Sequence, residues 1–327
     1  MPNEPIPLNE KSLTEISIDT LTENATTTLK ASLDSINQII LGKETPVKLA
    51  VCCILAKGHL LIEDLPGMGK TTLAHSIANT LGLDYARIQF TSDLLPADIL
   101  GSAIFNRDDN RFDFQPGPIF SQLLLADEIN RATPKTQSAL LEAMAERQVT
   151  IEGKTRVLPE PFFVIATQNP SFQLGTYPLP ESQLDRFFMR LQLGYPTEEV
   201  EALLLAGEDR QDLLATLEAV MSLEELKTLQ NMVTEVTVSD HLRRYILSLL
   251  TESRESGKYG HGLSPRAGIA LQHAAQSWAM MDGRGFVLPE DVQAVFLPVV
   301  EHRLSGQADH SVQNACAELL DSVPVPN

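Results

Sequence analysis

The stretch Glu63-Asp-Leu-Pro-Gly-Met-Gly-Lys-Thr-Thr72 constrains this chain more than any other. It follows the apolar run His59-Leu-Leu-Ile62 and precedes a helical pattern over Leu73–Leu81. A strand, a glycine-containing loop and a helix in that order form an anion cradle. The first-turn amides of a helix have no intrahelical acceptors, and the macrodipole favours negative charge there. The amides of Gly67, Met68 and Gly69 can converge on a phosphate. Lys70 would then reach the β- and γ-phosphates and the Thr71 hydroxyl would ligand Mg²⁺, with Thr72 in the same turn. The pattern G-x-x-x-x-G-K-[ST] is met except at its first position, where Asp64 replaces glycine. A Gly-Lys-Thr triplet also recurs by chance, so a plain strand–turn–helix corner stays open until the downstream sequence is read.

The length of 327 residues suggests about two domains. Hydrophobic residues make up 43% of the chain and mean hydropathy is −0.04, as expected of a soluble globular protein. No apolar run approaches the roughly 18 residues that a membrane span needs. The first ten residues lack a basic and then apolar leader pattern, so a cytoplasmic location is expected. Three cysteines, the adjacent Cys52-Cys53 and the distant Cys316, form neither a disulfide framework nor a metal spacing. They read as small buried hydrophobes in a reducing compartment. The net charge, 25 − 43 = −18, argues against a main task of gripping nucleic-acid backbones and toward protein partners.

Residues 1–28 are polar and rich in Thr, Ser and Pro, and read as a poorly ordered arm that could hold a short helix. Leu29, Leu33, Ile36, Ile39 and Ile40 form a helical stripe, and Val47–Ala56 is a second helix. Gly82 reads as a helix cap, Tyr85–Phe90 as a strand and Leu94–Phe120 as a loop-rich segment. Leu123-Leu-Leu-Ala-Asp127 and Phe162–Ala166 read as strands buried on both faces, and Phe188–Leu193 as a fifth strand. Thr136–Arg147 is helical, and Val149–Val157 is a hairpin turning at Glu152-Gly153. Strands separated by helices imply an α/β domain over 29–195, a parallel sheet between helical layers. After Gly194-Tyr-Pro196 only helical patterns follow, so 196–327 is expected to be all-α.

Four further residues or pairs bear on chemistry. A buried strand delivers Asp127 to its tip, where it can hold a Mg²⁺-bound water, and Glu128 can polarise an attacking water. Asn169, at the tip of the next buried strand, can orient that water, although a turn-forming Asn before Pro170 is the plainer reading. Arg186, in Leu184-Asp-Arg-Phe187, suits phosphate oxygens through its planar fork, though such an Arg is more often a surface ion-pair partner. Arg266, at a helix start after Gly262-Leu-Ser-Pro265, could be placed over the phosphates by the helical domain.

With these residues in view, the chain resembles the MoxR branch of the AAA+ ATPases, from about Ile40 to at least Arg303. The segments that carry the resemblance include Gly117-Pro-Ile-Phe120, Leu125-Ala-Asp-Glu-Ile-Asn-Arg-Ala132, Lys135-Thr-Gln-Ser-Ala-Leu-Leu-Glu-Ala143, Ala166-Thr-Gln-Asn-Pro170, Gly175-Thr-Tyr-Pro-Leu-Pro-Glu181 and Leu184-Asp-Arg-Phe187. The resemblance implies a P-loop αβα core with five parallel strands in the order 5-1-4-3-2, a small helical lid, and a ring, usually hexameric, with ATP at subunit interfaces. Lys70 and Thr71 then match Walker A, Asp127 and Glu128 Walker B, Asn169 sensor 1, Arg266 sensor 2, and Arg186 the arginine finger. Ile40–Glu44, with Leu41 and Gly42, matches the segment that contacts adenine. Arg131, with a structural salt bridge as the alternative, and Arg190 are further interface candidates. The region Arg107–Pro118 matches an insert in helix 2, and Val149–Val157 a hairpin before sensor 1.

The leading expectation is a Mg²⁺-dependent ATPase that remodels client proteins during maturation, assembly or metal insertion, with a von Willebrand factor type A partner. The alternatives are a nucleic-acid motor on the same core, and a nucleotide-gated scaffold with little turnover.

Overall fold

The computed structural model describes residues 10–169, 175–207, 210–306 and 312–325. Its centre is a five-stranded parallel sheet: β1 Leu60–Glu63, β2 Tyr85–Gln89, β3 Leu123–Asp127, β4 Phe163–Gln168 and β5 Met189–Leu191. Hydrogen bonding orders them β5-β1-β4-β3-β2, the order that the resemblance implied. Side chains alternate across a strand, and the sheet divides its apolar residues accordingly. Leu60, Ile62, Leu123, Leu125, Phe163 and Ile165 enter one core, whereas Leu61, Leu124, Ala126, Val164 and Ala166 enter a second. All five residues of β3 are buried, which is why its sequence shows no alternation.

Helices cover both faces. On the first lie α1 (Glu10–Ile39), α2 (Glu44–Leu55) and α3 (Lys70–Thr80); on the second lies α4 (Pro134–Glu146). Thr133 caps α4 by accepting the amide of Thr136, and Pro134 occupies the first turn, where a missing N–H costs nothing. The helix α1 runs from Glu10, so residues 10–28 of the expected arm are helical and continuous with the segment from Leu29, and residues 1–9 lie outside the described residues. Ser32 is accommodated in its buried stripe because its hydroxyl donates to the Thr28 carbonyl.

The second half contains α5 (Glu198–Ala206), α6 (Arg210–Ala215), α7 (Leu223–Val233), α8 (Asp240–Glu255), α9 (Pro265–Met281), α10 (Pro289–Val300) and α11 (Val312–Ser322). It also holds a two-stranded ribbon, Tyr259–His261 with Ser305–Gly306, where only helix was expected. Apart from α5, these helices share one apolar core with α1, α2 and α3, so the chain's change of texture near residue 196 marks a change of architecture rather than a break in packing.

Two hairpins project from the core. Gln148–Ile151 pairs with Lys154–Val157 through the expected turn, with both Glu152 and Gly153 at positive φ as a two-residue I′ turn requires. Gly101–Asn106 pairs with Arg111–Pro116 in the segment read as loop-rich, and here the expectation is corrected. The Arg156 guanidinium lies 3.7 Å from the Phe114 ring centre, joining the two hairpins.

Candidate nucleotide site

In a parallel sheet all strand C-termini lie along one edge, where loops to the next helices open a crevice. Here that edge gathers the loop after β1, Gln89 at the end of β2, Asp127 and Glu128 after β3, and Asn169 after β4. In the loop, Gly67 and Gly69 adopt φ values of +85° and +83°. No heavy atom lies within 4 Å of where a Cβ on either would point, so the backbone forms an open concave cradle. Lys70 begins α3, is buried, and donates from Nζ to the carbonyls of Asp64 (2.5 Å) and Leu65 (2.9 Å). Burial lowers its pKa, an effect opposed by the carboxylates of Asp64, Asp127 and Glu128. Thr71 and Thr72 follow in the first turn of α3. An open cradle, one buried ammonium and a carboxylate beyond it suit a polyphosphate with a hard divalent cation, whose protein ligands would be Thr71 and Asp127.

The departure at Asp64 is resolved by its side chain. Oδ1 accepts the Leu65 amide (2.9 Å), and Oδ2 accepts the amides of Leu193 (2.7 Å) and Gly194 (2.6 Å). The carboxylate is thus turned from the cradle to the segment that leads into the helical half.

The acidic pair is firmly placed. Asp127 is buried; its Oδ1 accepts the Thr167 hydroxyl (2.6 Å), and its Oδ2 meets Arg87 at 2.7 Å. Glu128 sits at φ +56°, a left-handed conformation, and its amide donates to Thr167 Oγ1. Its carboxylate accepts from Asn169 Nδ2 (3.0 Å), Gln89 Nε2 (2.9 Å) and Arg131 (2.8 Å). Asn169 and Glu128 therefore meet at this edge. Arg131 makes the salt bridge that was its alternative reading. Gln89, Arg87 and Thr167 were missed, because nothing local in sequence reveals contacts made across neighbouring strands.

A cavity of about 190 Å³ adjoins the cradle, lined by Ile39, Ile40, Leu41, Lys43, Gly67, Met68, Gly69, Thr72, Gly194, Pro196 and Leu204. Its apolar walls suit a flat base beside the phosphates. Leu41 lines it. Gly42 does not: it makes a left-handed turn, φ +66°, where a Cβ would press on Val200 at 2.9 Å.

Three arginines are placed differently. Arg186 and Arg266 lie together at the N-terminal edge of the sheet, in a pocket that also contains Gly58 and His59, the residues that lead into β1. Arg186 donates to the Leu141 carbonyl (2.9 Å), and Arg266 meets Asp185 at 3.3 Å. β1 alone spans ~13 Å, so Arg266 does not lie over this chain's own phosphate loop, and that expectation is corrected. Arg190 of β5 pairs with Glu63 of β1 at 2.7 Å. Arg303, whose side chain is only 5% exposed, was not singled out in the sequence; it holds Asp185 Oδ1 (2.8 Å) and donates to the carbonyls of Phe187, Phe188 and Val299.

Comparison with known proteins agrees with this geometry. Residues 59–189 match the family model described as ATPase family associated with various cellular activities (AAA), and residues 251–321 match the AAA lid domain. The Bacillus subtilis protein YeaC is 42% identical over 91% of this chain and 95% of its own. Chaperone MoxR1 of Mycobacterium tuberculosis is 39% identical over 85% of this chain and 75% of its own. A crystal structure from Cytophaga hutchinsonii, of a protein assigned as an ATPase, superposes with a TM-score of 0.87 at 34% identity, covering 96% of this chain and all of that one. An open phosphate cradle, an acidic pair at the tip of a buried strand and relatives matched along three quarters or more of their length lead to one statement: the chain belongs to the MoxR family of AAA+ ATPases.

Proposed function

We propose that this protein is a Mg²⁺-dependent ATPase that works as a ring of identical subunits, hexameric as the resemblance implies, and remodels client proteins during maturation, assembly or metal loading. The observation that carries the reading is a separation within one chain. Lys70, Asp127, Glu128 and Asn169 gather at the C-terminal edge of the sheet, whereas Arg186 and Arg266 lie at the opposite edge. Cations so placed can serve a nucleotide only when a second copy presents them. The von Willebrand factor type A partner rests on the family resemblance, and the chaperone role on that and on the name of the mycobacterial relative.

When bound, Mg²⁺ would neutralise charge on the phosphates between Thr71 and Asp127. The rest falls to side chains. Lys70 exchanges its two loop carbonyls for phosphate oxygens, a stronger charge-assisted contact. Glu128 takes the proton of the attacking water, and Asn169, already 3.0 Å from that carboxylate, holds the water in line. Arg186 of the neighbouring copy stabilises charge on the transferred group.

ATP turnover measured against protein concentration, for the parent and Glu128→Gln, tests this. Turnover per subunit should rise with concentration, and the variant should lose about 100-fold or more while still binding ATP. Turnover per subunit that is the same in dilute and concentrated protein would overturn the shared site.

A further inference from the structure

The pocket around Arg186 contains more positive charge than two fingers account for. This cavity of about 320 Å³ is lined by Lys57, Arg147, Arg186, Arg266 and Arg303, with Asp185 as the facing carboxylate. Most of these cations are engaged. Arg303 encloses Asp185, Lys57 donates to Asn231 (3.1 Å), and Arg186 and Arg266 each have one contact. Arg147 makes no side-chain hydrogen bond or ion pair among the described residues. In a chain of net charge −18, a concave cluster of five cations around one carboxylate is a place prepared for an anion.

The backbone of Arg147 gives a second, independent observation. Arg147 ends α4 in the left-handed region, at φ +52°, with its amide donating to the Ala143 carbonyl and its carbonyl accepting the Leu158 amide. That conformation favours glycine by about 1 kcal/mol, and helix ends of this shape usually carry it. An arginine here costs stability, and its guanidinium returns none through a hydrogen bond or ion pair among the described residues. Such strain is retained where the side chain has another task.

We propose that Arg147 is a third cation, beside Arg186 and Arg266, that contacts the phosphates of a nucleotide held by a neighbouring copy of this chain. The inference rests on the shared site proposed above and adds a residue to it. A guanidinium at the rim of the pocket offers a planar pair of donors to a phosphate oxygen, which no lysine or histidine matches.

Arg147→Gly is the informative variant, because glycine suits the backbone better than arginine does. It should fold with an unchanged or raised melting temperature, bind Mg²⁺–ATP within about twofold of the parent, and lose turnover about tenfold or more. Co-expression with Lys70→Ala then tests whether the loss acts across the interface. In the mixed assembly an Arg147→Gly subunit with an intact cradle faces a Lys70→Ala subunit with an intact Arg147. Turnover should exceed that of either variant alone. Arg147→Gly turning over within twofold of the parent, or losing turnover with no recovery in the mixture, would overturn the assignment. Arg186→Ala mixed with Lys70→Ala provides the reference. Recovery with Arg186→Ala but not Arg147→Gly would remove Arg147 alone, and recovery in neither would remove the shared site itself.

Discussion

Asp64 stands where phosphate loops of this pattern carry glycine, and its carboxylate faces away from the cradle to accept the amides of Leu65, Leu193 and Gly194. A carboxylate accepting three amides from two segments ties the loop that would hold phosphate to the strand exit that leads into the helical half. Hydrogen bonds to a charged group contribute about 1.5–3 kcal/mol each when buried, and Asp64 is only half-buried. Asp64→Gly should therefore lower the unfolding free energy by about 2–3 kcal/mol in urea titration, with Asp64→Asn losing less because its amide oxygen still accepts. Affinity for ATP should hold or rise in Asp64→Gly, since a negative charge near a polyanion is removed. Unfolding free energy within error of the parent would mean that the tether contributes nothing.

At the scale of elements, the helical half serves the arginine edge through Arg303, just beyond α10. Its five contacts, to Asp185 and to the carbonyls of Phe187, Phe188, Asp185 and Val299, hold the turn that presents Arg186. Arg303→Met keeps the apolar bulk but leaves Asp185 with only the exposed Arg266, at 3.3 Å, and several carbonyls without this donor. Breaking a buried pair from one side costs about 3–5 kcal/mol, read as a lower urea midpoint. Turnover should fall with it, while ATP affinity stays within about twofold because the cradle lies at the other edge. Weakened ATP binding would show that the two edges are not independent. Little of this was legible in sequence. The strands β1, β3 and β4 announce themselves because each is a buried apolar run ending in polar residues, and the turn at Glu152-Gly153 because left-handed geometry selects such pairs. The hairpin Gly101–Pro116 did not, since neither of its faces is fully buried and its apolar residues Ile104, Phe105 and Phe112 remain exposed. Asp127, Glu128 and Asn169 could be found from strand tips, whereas Gln89, Thr167 and Arg303 act through contacts 39 to 118 residues away along the chain.

For the molecule as a whole, the sheet and the helical half share one core, and two buried histidines sit behind the arginine edge. His59 accepts the Val164 amide at Nδ1, with Nε2 near the Met144 carbonyl, and His302 Nε2 donates to the Phe187 carbonyl (2.9 Å). Desolvation lowers their pKa values from 6.5 to about 4 for His59 and about 3 for His302, with Arg147 adding to the first and Arg303 to the second. Both are therefore neutral in the folded protein at neutral pH. In the unfolded chain each takes up its proton near pH 6.5, so below that pH the unfolded state binds more protons and acid favours it. Their contribution to stability is fully present above pH 6.5 and declines as pH falls toward 4 and 3. At about 1.4 kcal/mol per pH unit, each should have cost roughly 2 kcal/mol by pH 5, about 4 kcal/mol together. Urea unfolding near pH 7.5 and pH 5 measures this directly. His302→Gln keeps a donor for the Phe187 carbonyl and takes up no proton, so it should remove about half of the acid sensitivity. An unfolding free energy equal at the two pH values in the parent would mean that these rings are solvated, and that the core behind Arg186 is looser than its packing implies.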